Sequence, residues 1–202
     1  MSTWTSKVSL LAVGFALAAC GAGLSVTRNA PMQVRLPDGL VVAGARGWCV
    51  DRTTSRTQNG ASTIVLGSCA AIAGNVLLPH PQIDGVVTIS VESASVGTPT
   101  LEGLTEFLTS ERGRAVLARD GRADSVDLLE MAPRDGALFL HALDASGGPL
   151  NTGADYWRAL FDIEGRFVSV SLIPVANGAL SRDQSLATLD AQINRLKAAN
   201  IN

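Results

Sequence analysis

A chain of 202 residues is long enough for one domain with a real core, or at most two small ones. It carries 16 Lys+Arg against 18 Asp+Glu, a formal net charge of -2. That balance argues against a nucleic-acid partner, which needs a face rich in Lys and Arg to neutralise phosphates. Hydrophobic residues make up 47% and charged residues 17%, and part of the apolar excess sits at the N-terminus.

Residues 1–20 read MSTWTSKVSLLAVGFALAAC. Lys7 supplies a positive start, and the stretch from Val8 to Ala19 is apolar apart from Ser9 and Gly14. A run of about a dozen residues is too short for a spanning helix, which takes about 20. A short apolar run ending in small residues is a processing signal instead. Leu17-Ala18-Ala19-Cys20 resembles the lipobox of bacterial lipoproteins. The resemblance implies cleavage after residue 19 and a diacylglycerol on the Cys20 sulfur. Residues 20–31 then form a flexible tether, and residues 32–202 a single globular domain facing the periplasm. Gly21, where an Asp would signal retention in the inner membrane, favours the outer one. An ordinary secretory signal with an incidental cysteine is the weaker alternative.

The first half of the domain reads as strands. Met32–Leu36 runs into a Pro37-Asp38-Gly39 turn, and Leu40–Ala43 and Gly47–Asp51 follow. Arg52–Ala61 is polar and reads as a loop ending in the turn dipeptide Asn59-Gly60. Ser62–Ser68 is the returning strand, and a hairpin would bring Cys49 close to Cys69. In an exported chain this even pair reads as a disulfide, a structural staple and not a redox centre. Two buried thiols or a metal pair are the alternatives, but zinc usually takes four ligands in a structural site. Val86–Val91 is a further strand.

The period then changes. Leu101, Leu104, Phe107 and Leu108 are spaced as one face of a helix, with Thr100 as N-cap. A second helix capped by Ser110 carries Ala115, Val116 and Leu117. Four strands follow, Ser125–Met131, Ala137–Leu143, Tyr156–Asp162 and Arg166–Ile173, the last one central. Ser181-Arg182-Asp183-Gln184 is a capping box, and Leu186, Leu189, Ile193 and Leu196 form an apolar stripe behind it. The expected class is therefore α+β, a mainly antiparallel sheet layered with helices, with the amphipathic C-terminal helix packed on the sheet.

This order of elements is similar to that of small envelope lipoproteins and of PsbP-like domains. The resemblance is one of topology and implies no activity. The stretches WCVD (48–51), LGSCAAI (66–72) and WRALFDIEGRFVSVSL (157–172) look like segments of bacterial lipoproteins, a resemblance that implies no particular activity.

No motif for cofactor chemistry is present: GxSxG, SxxK, Walker A and GxGxxG are all missing. The two histidines, His80 and His141, lack HxH or HxxxH neighbours, so no metal site is expected from them. Asp51, Arg52 and Arg56 stand beside Trp48 and form the one cluster able to hold an anion or a peptide carboxylate. A solvated loop over a buried Trp is the plainer reading of the same residues. The expected function is a non-enzymatic envelope module that binds a protein partner or a small ligand. The rival is a periplasmic hydrolase with a site assembled from scattered residues, for which His141 or His80 beside an acid and a serine would be the mark.

Overall fold

The structure is a computed structural model and describes residues 30–94, 97–147, 153–175 and 180–201. The signal, Cys20 and most of the tether lie outside the described residues.

Seven strands form one antiparallel sheet. In chain order they are β3 (Trp48–Gln58), β4 (Ala61–Ser68), β5 (Gly85–Val91), β6 (Val126–Arg134), β7 (Ala137–Asp144), β8 (Asp155–Ile163) and β9 (Arg166–Pro174). Across the sheet the order is β3-β4-β5-β9-β8-β7-β6, which puts β9 at the centre as its sequence indicates. β1 (Gln33–Arg35) and β2 (Val41–Ala43) pair separately around the Asp38-Gly39 turn. The helices are α1 (Cys69–Ala73), α2 (Leu101–Thr109), α3 (Glu111–Leu117) and α4 (Arg182–Ala199), with a short 3-10 turn at Ala123–Ser125. The fold is thus the α+β layered class expected, with α4 packed against the sheet.

Three hairpins share one device. Asn59-Gly60, Asp135-Gly136 and Glu164-Gly165 each place two successive residues at positive φ, between 51° and 79°. That is the twist-matched geometry of a two-residue hairpin, and the glycine removes the Cβ clash at its second position. Register is thereby pinned at β3–β4, β6–β7 and β8–β9.

Helices α2, α3 and α4 each start where a side chain meets their free N–H groups. Thr100 Oγ accepts from Gly103 N, Ser110 Oγ from Gly113 N, and Ser181 Oγ from Gln184 N. At α4 the Gln184 side chain accepts from the Ser181 hydroxyl, a variant of the expected reciprocal box.

The sheet has two unlike faces. The first packs Val50, Ile64, Leu66, Ile89, Val170, Trp157 and Phe161 against Leu189, Ile193 and Leu196 of α4 and against β2. Two amides fasten this layer. Gln192, fully buried, donates to Ala43 O at 2.6 Å and accepts from Ala45 N at 2.9 Å. Asn200 donates to Val41 O and accepts from Val41 N. They satisfy the free edge of β2, which burial would otherwise make costly. On the second face α2 and α3 cover one half only, with Leu104, Leu108 and Leu117 against Leu138, Leu140, Tyr156 and Leu160.

Two elements differ from the sequence reading. The stretch from Arg52 to Gln58 belongs to β3, not to a loop; a bulge between Asp51 and Arg56 absorbs its polar residues, so pairing resumes at Arg56–Thr63. Helix α1 begins at Cys69 itself, directly after β4, and its five residues give too few turns for a periodic signal. It closes on Gly74 in the left-handed region, whose N–H caps the final turn.

Candidate functional site

The register Trp48–Ser68 and Cys49–Gly67 brings the two cysteines together, and they form a disulfide with Cα atoms 4.8 Å apart. The bridge links β3 to the first residue of α1 and fixes that helix across the end of the β3–β4 hairpin. Beside it opens a cleft of about 980 Å3. Its apolar wall comes from Ile72 of α1, Ile83, Val86 of β5 and Val175. Its polar rim includes Asp51, Arg52 and Asp84. Ligand clefts generally combine this kind of apolar lining with a few polar groups at one margin.

The bulge determines how that rim behaves. Asp51 Oδ1 accepts from Thr53 N at 2.8 Å and Thr53 Oγ1 at 2.6 Å, and Oδ2 accepts from Thr54 Oγ1. Burial pushes the Asp51 carboxyl up, but the hydroxyl and backbone contacts of Thr53 and Thr54 outweigh it and hold the group below its usual range. Ser55 Oγ donates to Asp51 O and accepts from Val65 N, replacing the ladder bonds that the bulge removes. Arg56 Nη1 donates to Thr53 O and Ser55 O. Asp51 and Arg56 therefore stabilise the bulge itself, while Arg52 stays exposed at the cleft margin.

Trp48 is separated from that group. Strand alternation sends Trp48 to the first face, where it is 3% exposed, and Asp51 to the second. Of the four residues singled out in the sequence, Asp51 and Arg52 share the cleft, Arg56 supports it from the bulge, and Trp48 lines a different recess. That recess, about 950 Å3, lies between α4 and the 76–83 segment, with Leu77 and His80 on one wall and Ala187 on the other. The aromatic neighbour was suggested by adjacency in the chain, which a strand converts into opposite faces.

His80 is exposed, with Nδ1 3.2 Å from Pro81 O. His141 is the more constrained. Its ring stacks on Trp157 at 4.3 Å between centroids, and Nε2 lies 2.5 Å from Asp155 Oδ1. Glu130, opposite His141 in β6, is bound by Arg182 at the start of α4. That hydrogen-bonded ion pair, more than the nearby His141, lowers the Glu130 carboxyl below its usual value. The group bridges the sheet to the first turn of α4.

The residues that sequence reasoning missed lie on the second face. Arg158 of β8 donates through Nε to Ser171 Oγ at 2.8 Å, and its guanidinium lies over the Tyr156 ring. The hydroxyls of Ser171, Thr88, Ser169 and Ser90 continue from it across β9 and β5. In the sequence these residues look like the outward half of alternating strands, and they gain significance because no described helix lies above them.

No family model matches the chain, and no curated protein matches it. Among solved structures it is similar to cyanobacterial PsbP (CyanoP) from Synechocystis sp. PCC 6803, at 12% identity over 89% of this chain and 95% of that one, with a TM-score of 0.37. That is a weak likeness of fold.

Proposed function

We propose that this protein is an envelope lipoprotein, held at the membrane through lipid on Cys20 and facing the periplasm, with the outer membrane as the favoured site. Its domain works as a binding module and not as an enzyme. The anchor rests on Leu17-Ala18-Ala19-Cys20 behind a short apolar run. The binding role rests on one observation, the apolar cleft that the disulfide-fixed α1 holds open beside β5. Intact mass and detergent partition of the exported protein test the anchor. Loss of residues 1–19, a lipid increment and partition that vanishes in Cys20→Ser support it. Unlipidated protein in the soluble fraction refutes it.

The hydrolase reading has one observation in its favour, the contact between His141 and Asp155. A base held by a carboxylate is part of a nucleophilic site, but the other described contact of His141 is the Trp157 ring and not a serine. Turnover of an ester or peptide panel that disappears in His141→Ala would establish this reading in place of a binding module.

A further inference from the structure

Arg158 poses an electrostatic question. All 18 carboxylate side chains of the sequence fall among the described residues, and none lies within ion-pair distance of Arg158. Its one hydrogen-bond acceptor among those residues is the neutral Ser171 hydroxyl. Asp144, the acid whose field reaches it, is itself fully buried and held by Ser146 and Arg119. A guanidinium in a partly desolvated setting without a counter-ion is an unfavourable arrangement, unless an external anion completes it. The Arg158 side chain is half-buried, at the margin of the core and not within it.

The direction of the side chain connects it to the cleft. Stacking over Tyr156 leans the guanidinium towards the N-terminal end of β8. One step beyond the Trp157–Leu172 pair, Tyr156 is level with Ile173, which pairs with Val86 on the cleft wall. From strand spacing and rise, the Arg158 and Val86 backbones are about 12 Å apart on the same face. A reaching arginine at one end and an apolar wall at the other define a length and a polarity. We propose that this face binds a small amphiphilic monoanion, its apolar body in the cleft and its carboxylate or phosphate paired with the half-buried Arg158 guanidinium at the edge of the helix-covered region. Ser171 positions the fork by engaging Nε, which leaves the Nη pair for a bidentate contact. The inference rests on the binding-module reading and adds the class of ligand to it.

Octanoate and its neutral counterpart octan-1-ol, titrated by calorimetry into the full chain in a nanodisc with empty nanodiscs subtracted, test it. Octanoate should bind, and Arg158→Gln should weaken it about tenfold, the scale of one charge-assisted pair. Arg158→Lys should recover part of the loss, and octan-1-ol should be indifferent to both changes. Thermal melts of each variant show that the sheet is intact. Octanoate binding that is equal in wild type and Arg158→Gln overturns the anion subsite while leaving the cleft in place. Binding of neither compound overturns the subsite and the cleft together. Val86→Asp, which puts a charge in the apolar wall, should abolish both compounds, and its failure to do so places the ligand elsewhere.

Discussion

The two halves of the sheet are built from similar strands but use their second faces differently. β7, ALFLHALD, is buried along almost its whole length, because α4 lies on one side and α2 with α3 on the other. β5, GVVTISV, alternates, with Val87, Ile89 and Val91 inward and Thr88 and Ser90 half-buried on a face that no described helix crosses. A strand enclosed on both sides needs a continuous apolar run, and a strand enclosed on one side needs alternation. The covered half carries the stability, the open half carries the cleft and the serine and threonine row, and Arg158 stands at the boundary between them, flanked by Tyr156 and Leu160.

The sharpest way to break that contrast is to carve both halves. Leu140→Ala, at a position with no exposure beneath α2 and α3, should cost about 3–4 kcal/mol in urea unfolding. A loss below about 1 kcal/mol would mean that the helices are loosely docked. The disulfide comes next, since it is the open half's substitute for a covering helix. Its 20-residue separation predicts a loss of about 3 kcal/mol in Cys49→Ser, Cys69→Ser, together with weaker binding in the cleft. In the unaltered, non-reduced protein Cys69 should resist thiol labelling, and equal labelling with and without reductant would remove the bridge from the account.

Asp144 probes the covered half by pH. Burial raises its carboxyl, but the Ser146 hydroxyl, the N–H groups of Arg119 and Ser146 and the Arg119 charge bring it below its usual value. A depressed folded value adds stability that is complete above the unfolded value, about 3.9, and is lost as pH falls through the folded one. Asp144→Asn should cost about 2 kcal/mol at neutral pH and less below about pH 4. A pH-independent loss would assign the effect to packing. The smallest change is expected at Thr88→Ala on the open face, within about 0.5 kcal/mol of wild type. A large loss there would show that something covers this face after all.

How much of this was legible varies by feature. The Asn59-Gly60 turn, the helix caps and the disulfide were readable because each is specified by residue types at short spacing in the chain, such as Ser181 before Gln184. The placement of Gln192 was not, because a polar residue on a helix faces water by default, and only the unpaired edge of β2 draws it inside. The polar stretch after Asp51 reads as a loop because its hydroxyls serve a bulge, which strand periodicity does not describe.

The sequence by itself determined the α+β class, the strand and helix order, the pairing of Cys49 with Cys69 and the lipobox on which the proposed anchor rests, since each follows from local composition or spacing. Tertiary structure alone decided that Trp48 and Asp51 face opposite ways, that α1 walls a cleft and that Arg158 has no carboxylate beside it. Those outcomes depend on which strand lies next to which and on what lies above it, and the β5–β9 pairing joins residues about eighty positions apart. Local sequence carries no signal for contacts at that range.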